Sequence, residues 1–176
     1  ETAAEHLERS VALARVSATR GGDVTIFNRT LLARLRLAQG RATEAEAILD
    51  EVLAPSRPHL IAQQAVEMAL ARAWRGKARE RQGRVGEAES DLRAAVAALG
   101  LAGAPAARDL ITALEMLAET LVASRKDTEG EATERRAVEL ARRELGAEER
   151  VLGKAHTRWA RALRVLGRLA WAEGAE

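Results

Sequence analysis

Apolar residues along this chain recur three and four positions apart, in runs interrupted at nearly regular intervals. Phe27, Leu31, Leu32 and Leu35, with Ala38, form the buried stripe of a helix predicted over 24–39. Ala45, Ile48, Leu49 and Val52 form the stripe of the next, which ends at Leu53. Thr43 stands where it can cap that helix, with Glu46 three residues on as a capping-box partner. Pro55-Ser56-Arg57-Pro58 then breaks the pattern. Further helices are predicted over 59–82, 85–99, 106–124, 128–145 and 151–166, with Gly100 to Pro105 read as a loop. At the start, Ala4, Leu7, Val11 and Ala14 mark a helix over 2–18, closed by Gly21-Gly22, and 169–176 begins another.

The breaks share one form. Gln39-Gly40-Arg41, Gln82-Gly83-Arg84 and Leu166-Gly167-Arg168 each precede an Ala five residues past the Gly: Ala45, Ala88 and Ala172. A degenerate copy puts Arg125 in the Gly place and Gly130 in the Ala place. The units start 43, 42 and 42 residues apart, a fixed period that signals stacked helical repeats. Small residues also recur inside the first helix of each unit, at Ala33, Gly76, Ala118 and Ala160. A Gly within a helix costs about 0.8–1 kcal/mol against Ala, so Gly76 and Gly130 imply close backbone approach. The chain divides into an orphan second helix (1–20), helix pairs over 23–54, 58–100 and 105–146, and a truncated last repeat over 150–176. Broken end repeats would expose apolar faces, so self-association through the truncated ends is expected. The start at Glu1 without Met reads as a fragment of a larger protein, and the Ala/Arg-rich composition suggests a bacterial one.

Composition narrows the function. The 176 residues suit one domain with a sizeable core; 47% are apolar, 31% charged and only 2% aromatic, so Ala fills places where large side chains would otherwise sit. The pI near 9.6 reflects abundant Arg, but the formal net charge is only +2, which is little reason to expect nucleic acid as partner. There is no Cys, and no apolar run approaches the length of a membrane span, so no membrane role and a cytoplasmic setting are expected.

The repeated unit resembles the tetratricopeptide repeat (TPR). A small residue sits in the first helix, often after a large one: Leu32-Ala33, Leu117-Ala118 and Trp159-Ala160, though Arg75 precedes Gly76. Gly40, Gly83 and Gly167 close the turn, and Ala45, Ala88, Gly130 and Ala172 open the second helix. Val52-Leu53, Ala95-Val96 and Ala137-Val138 follow one to two turns later. The common unit is 34 residues; the longer one here resembles the kinesin-light-chain-like subgroup, most closely over 137–173. HEAT and armadillo repeats have similar periods and stay open as alternatives. The resemblance implies an all-α, right-handed α-solenoid of antiparallel helix pairs, whose first helices line a concave groove. It implies a non-catalytic scaffold binding a protein or peptide segment there.

Carrying the groove register across gives Arg34, Lys77, Glu119 and Arg161 in one row. Thr30, Ala73, Glu115 and Thr157 lie a turn earlier, and Leu37, Glu80, Val122 and Arg164 three residues later. The expected partner-binding residues are therefore Arg34, Lys77, Glu80, Glu115, Glu119, Arg161 and Arg164. Such a groove is cationic at both ends, suited to an acidic partner through the two-pronged Arg–carboxylate geometry. The competing reading is a solvated face laced with internal salt bridges. The Asn residues by which many relatives grip a peptide backbone are missing, since Asn28 is the only Asn. That gives weight to docking against a neighbouring domain.

No chemistry stands out. His6, His59 and His156 lie in different units, and none has a second ligand at metal spacing. No nucleophile motif or phosphate-cradling Gly loop is present, so no catalytic residue, metal or cofactor is expected. Trp159 is expected in the core, Trp74 near the groove and Trp171 over the end of the stack; three scattered Trp do not make a base-stacking platform. The alternatives to a scaffold are a sensor domain controlling an attached effector and, last, helical-repeat RNA binding.

Overall fold

A computed structural model describes residues 22–54 and 62–145. Among the described residues six α-helices follow one another: α1 (Gly22–Ala38), α2 (Ala42–Leu53), α3 (Ala62–Arg81), α4 (Val85–Ala102), α5 (Ala107–Ala123) and α6 (Asp127–Leu145), with a 3-10 turn at Ala104–Ala106. The expectations for the first and last helices, the three His, Trp159, Trp171, Arg161 and Arg164 lie outside the described residues.

The turns inside the three described pairs are built alike. The residue after the first helix takes a left-handed conformation at Gly40 (φ 78°), Gly83 (φ 79°) and Arg125 (φ 60°). In each, the following amide reaches back five residues: Arg41 to the Arg36 carbonyl (2.8 Å), Arg84 to Arg79 (2.9 Å) and Lys126 to Leu121 (2.9 Å). Helix ends leave carbonyls unsatisfied, and this paired closure satisfies them while reversing the chain. Arg125 adopts it without the freedom of a glycine, so the degenerate copy keeps the geometry.

Each helix packs on the next along the chain, α1 also packs on α3, and α3 on α5. No comparable packing joins α2 to α4 or α4 to α6. First helices therefore form the tighter layer and second helices the looser one, which curves the stack toward the first. Small residues permit this. Ala33, Ala45 and Ala88 are wholly buried, and Ala118 nearly so. A Cβ at Gly76 would lie 2.8 Å from Leu92 Cγ and 3.0 Å from the Ala88 carbonyl oxygen; one at Gly130 would lie 2.9 Å from Val122 Cγ2. Both glycines thus mark close approach within their pairs, outweighing their helix-propensity cost. The core falls into two clusters: Ile26, Leu49 and Val52 lie in one, and Leu92, Leu99, Leu114 and Leu121 in the other. Trp74 packs against both.

Three sequence expectations are corrected. Phe27 is 52% exposed, while its neighbour Ile26 is buried together with Thr30. The stripe of α1 is rotated by one residue from the pattern of large side chains, because the face toward α2 and α3 also accepts the small polar Thr30, whose hydroxyl donates to the Ile26 carbonyl (2.9 Å). Helix α4 continues through Gly100 to Ala102, and Gly103, at φ 71°, ends it. A lone Gly weakens a helix by about 1 kcal/mol but does not stop one. Finally, α2 starts at Ala42 with no side-chain cap, and Thr43 is exposed. Glu46 is buried and engaged elsewhere, so the capping box does not form.

Candidate functional site

On the inner layer, the structure places the expected groove residues in two groups. Lys77 on α3 donates to Glu80 (2.6 Å) on its own helix and to Glu119 (2.7 Å) on α5. The Thr120 hydroxyl of α5 also reaches Glu80 (3.4 Å). Lys77, Glu80 and Glu119 thus form an internal brace between neighbouring first helices, the competing reading of these positions. Glu134 on α6 is held above the usual carboxylate range by burial, with the Glu119 charge adding to the effect.

The second group spans three helices. The guanidinium of Arg34, exposed on α1, lies 4.7 Å from the ring centre of Trp74 on α3. That is within cation–π range. Asp109, half-buried near the start of α5, has its carboxyl pushed up by burial, which the Arg34 charge partly offsets. Glu115 is half-buried one turn before Glu119. Other members of the expected rows turn elsewhere: Thr30 and Ala73 are buried, and the Val122 side chain leans toward Gly130 of α6.

The most connected polar cluster was not among the expected site residues. Between α2, α3 and α4, Glu46 accepts from Arg79 (2.8 Å), Gln82 (2.7 Å) and Arg84 (2.7 and 2.8 Å). Arg75 grips Asp91 with both prongs (2.8 and 2.7 Å) and reaches Asp50 (2.9 Å), and Arg79 also donates to Asp91 (3.0 Å). Burial pushes the Glu46 carboxyl up, but the bonds from Arg79, Gln82 and Arg84 together hold it below the usual range. Arg75 is held more firmly protonated by Asp91, against the opposing effect of burial.

Part of this cluster recurs one unit later. Arg84 to Glu46 corresponds to Lys126 to Glu89, where the ammonium donates to both carboxylate oxygens (2.8 Å each). Lys126, then Arg93, hold the Glu89 carboxyl low. The signal was in the chain: within each described pair a cation follows the left-handed turn residue (Arg41, Arg84, Lys126), and an acid follows the small residue that opens the second helix (Glu46, Glu89, Glu131). Read across the period, these form a clasp between one unit's turn and the preceding unit's second helix.

Among the described residues, no three His, Cys, Asp or Glu side chains come together as a metal site would require, and no helix is long and apolar enough to cross a membrane. No family model matches the sequence, and no curated protein matches it. Among solved structures, the chain is similar to BtubC (BKLC) from P. vanneervenii, with a TM-score of 0.63 and 22% identity. The match covers 81% of this chain and 59% of that one, so the chain spans well under two thirds of BtubC. The likeness is one of fold. Over the described residues the chain is an all-α, right-handed α-solenoid of antiparallel helix pairs, a TPR-like helical-repeat fold.

Proposed function

We propose that this chain is a non-catalytic interaction scaffold of the long-repeat, kinesin-light-chain-like kind, binding a protein segment on its inner face. The observation that carries the reading is the Arg34–Trp74 stack: a cation held over an aromatic ring between two neighbouring first helices, on the layer that curves inward. A stacked Arg has its own freedom already reduced, so less entropy is lost when a partner's carboxylate meets it. Lys77, Glu80 and Glu119 serve as the brace beside this site, and an acidic partner meets Arg34 rather than Lys77. Arg161 and Arg164 extend the cationic row in the same reading.

The test is a photo-crosslinking residue at position 38, exposed one turn after Arg34, followed by calorimetry of whatever it captures. Arg34→Glu should weaken that partner by about tenfold or more, whereas Glu44→Lys, an exposed change on α2, should not. Equal affinity for the two variants would remove Arg34 from the site, and capture only through the outer helices would reject the inner face.

A further inference from the structure

The two joints between the three described helix pairs are held by different forces. At the first, Arg75 and Arg79 of α3 meet Asp50 and Glu46 of the preceding α2. One unit later, α5 has Leu117 and Leu121 at the same positions, buried with Leu92, Val96 and Leu99 of α4. Apart from its arginines, α3 gives the first joint little to hold. Its buried residues in the cluster with Ile26 and Leu49 are Ala71 and Ala78, with Met68 and Trp74 only partly buried. The charged pairs also differ in depth. At the second joint, Lys126, Arg93 and Glu129 are each nearly half exposed. At the first, the Glu46 and Asp91 side chains are 10% and 9% exposed. Exposed pairs contribute little, whereas breaking a buried one strands charges away from water.

Glu46 is the centre of the first joint. Arg79 faces it from α3, Gln82 and Arg84 from the adjoining turn, and Glu87 and Asp91 of α4 share those arginines. On α1, Arg29 and Arg36 pair with Glu51 and Glu44 of α2 and so stay inside the first pair. On the inner side, burial raises the Asp109 carboxyl of α5 and the charge of Arg34 opposes it. Asp109 therefore takes its proton at higher pH than Glu46 and leaves the outer network intact. While the joint is closed, burial pushes the Glu46 carboxyl up, but the bonds from Arg79, Gln82 and Arg84 outweigh it and keep the group below the usual range. Hydrated in an open joint, it returns to about 4.3. The open form takes up the proton more readily, so acid shifts the balance toward it as pH falls below that value.

We infer that the joint between the first and second pairs is an acid-released latch. Protonation of Glu46 frees α1 and α2 from α3 and α4 as a unit, while the apolar joint to α5 and α6 stays closed. Local opening of this kind follows the weakest set of contacts under the given conditions, and acid weakens only the joint whose buried contacts are charged. Opening also parts Arg34 of α1 from Trp74 of α3, so the latch controls the inner face. That consequence rests on partner binding at Arg34 and Trp74; the latch itself does not.

The chain has no Cys, so spin labels can be placed by substitution. Ala47, Ser90 and Ala132 are exposed at equivalent positions on α2, α4 and α6. In the chain of residues 1–176, Ala47→Cys with Ser90→Cys reads the first joint, and Ser90→Cys with Ala132→Cys reads the second. Between about pH 7 and about pH 3.5, the first distance distribution should widen about twofold and the second should keep its width. Glu46→Gln should widen the first distribution at neutral pH and abolish its response to acid, whereas Glu44→Gln should behave as the parent. Both distributions widening together, neither changing, or a pH response that survives Glu46→Gln would each overturn the latch. No partner is needed for this measurement, so a partner that binds away from Arg34 and Trp74 would remove the inner-face site and leave the latch standing.

Discussion

Arg125 holds the left-handed turn position that Gly40 and Gly83 hold in the preceding units. A side chain there brings Cβ against the following carbonyl and costs about 1–2 kcal/mol. The turn keeps its geometry because the Lys126 amide still finds the Leu121 carbonyl and because Lys126 is drawn to Glu89. Replacing Arg125, which is exposed, should therefore relieve strain without losing a contact. Arg125→Gly is expected to stabilise the chain by about 0.5–1 kcal/mol, the gain being limited by glycine's greater freedom when unfolded. Urea unfolding followed by circular dichroism reads this directly; a lower midpoint at unchanged slope would show that Arg125 makes a contact worth more than the strain.

Between elements, ionic clasps and small-residue contacts act together. Apolar and backbone contact holds each helix pair together, as at Gly76 against Leu92, joined within the second pair by Arg75 and Arg79 on Asp91. Charged groups span the step from one pair to the next: Glu46 of α2 gathers Arg79 and Gln82 of α3 and its adjoining turn, and Arg84 just beyond. Glu46 is almost fully buried, so neutralising it leaves cations facing an uncharged group. Glu46→Gln should cost about 2 kcal/mol, whereas Glu44→Gln, an exposed member of the Arg41–Glu44 pair, should cost less than about 0.5 kcal/mol. Equal unfolding midpoints for the two variants would mean that the clasp contributes no more than a surface pair.

At the scale of the whole molecule, the shifted carboxylates among the described residues fall into two opposing sets, and this shapes stability against pH. Glu46, Glu87 and Glu89 have folded values below the ordinary range. Their contribution is present above the unfolded carboxylate value of about 4.3 and is lost as pH falls through their lowered folded values. Asp109 and Glu134 are raised by burial. The folded chain binds protons there more readily than the unfolded one, so stability rises as pH falls from neutral through their raised values. The expected profile climbs slightly from neutral pH, peaks on the mildly acidic side and drops below about pH 4. Urea midpoints across that range check the shape, and Asp109→Asn should remove part of the climb. A steady decline from neutral would place the burial of Asp109 and Glu134 in doubt.

The helical class and the turn positions were legible in the chain because both are local. A 3.6-residue apolar period and a turn residue followed by a cation every 42 or 43 residues are set by neighbours in sequence, and Gly76 and Gly130 announced close approach since nothing local favours glycine inside a helix. The rotation of α1 that buries Ile26 and exposes Phe27 was not local, nor was the recruitment of Glu46 away from a cap. Each depends on what a helix from another part of the chain presents. The same holds for the groove. Lys77 and Glu119 read alike as ligands or as partners, and only the packing of α3 on α5 brought them to 2.7 Å. Side-chain identity determined which groups could pair; the spacing between helices decided which did, because a charge acquires its meaning from the residues that three-dimensional packing sets against it.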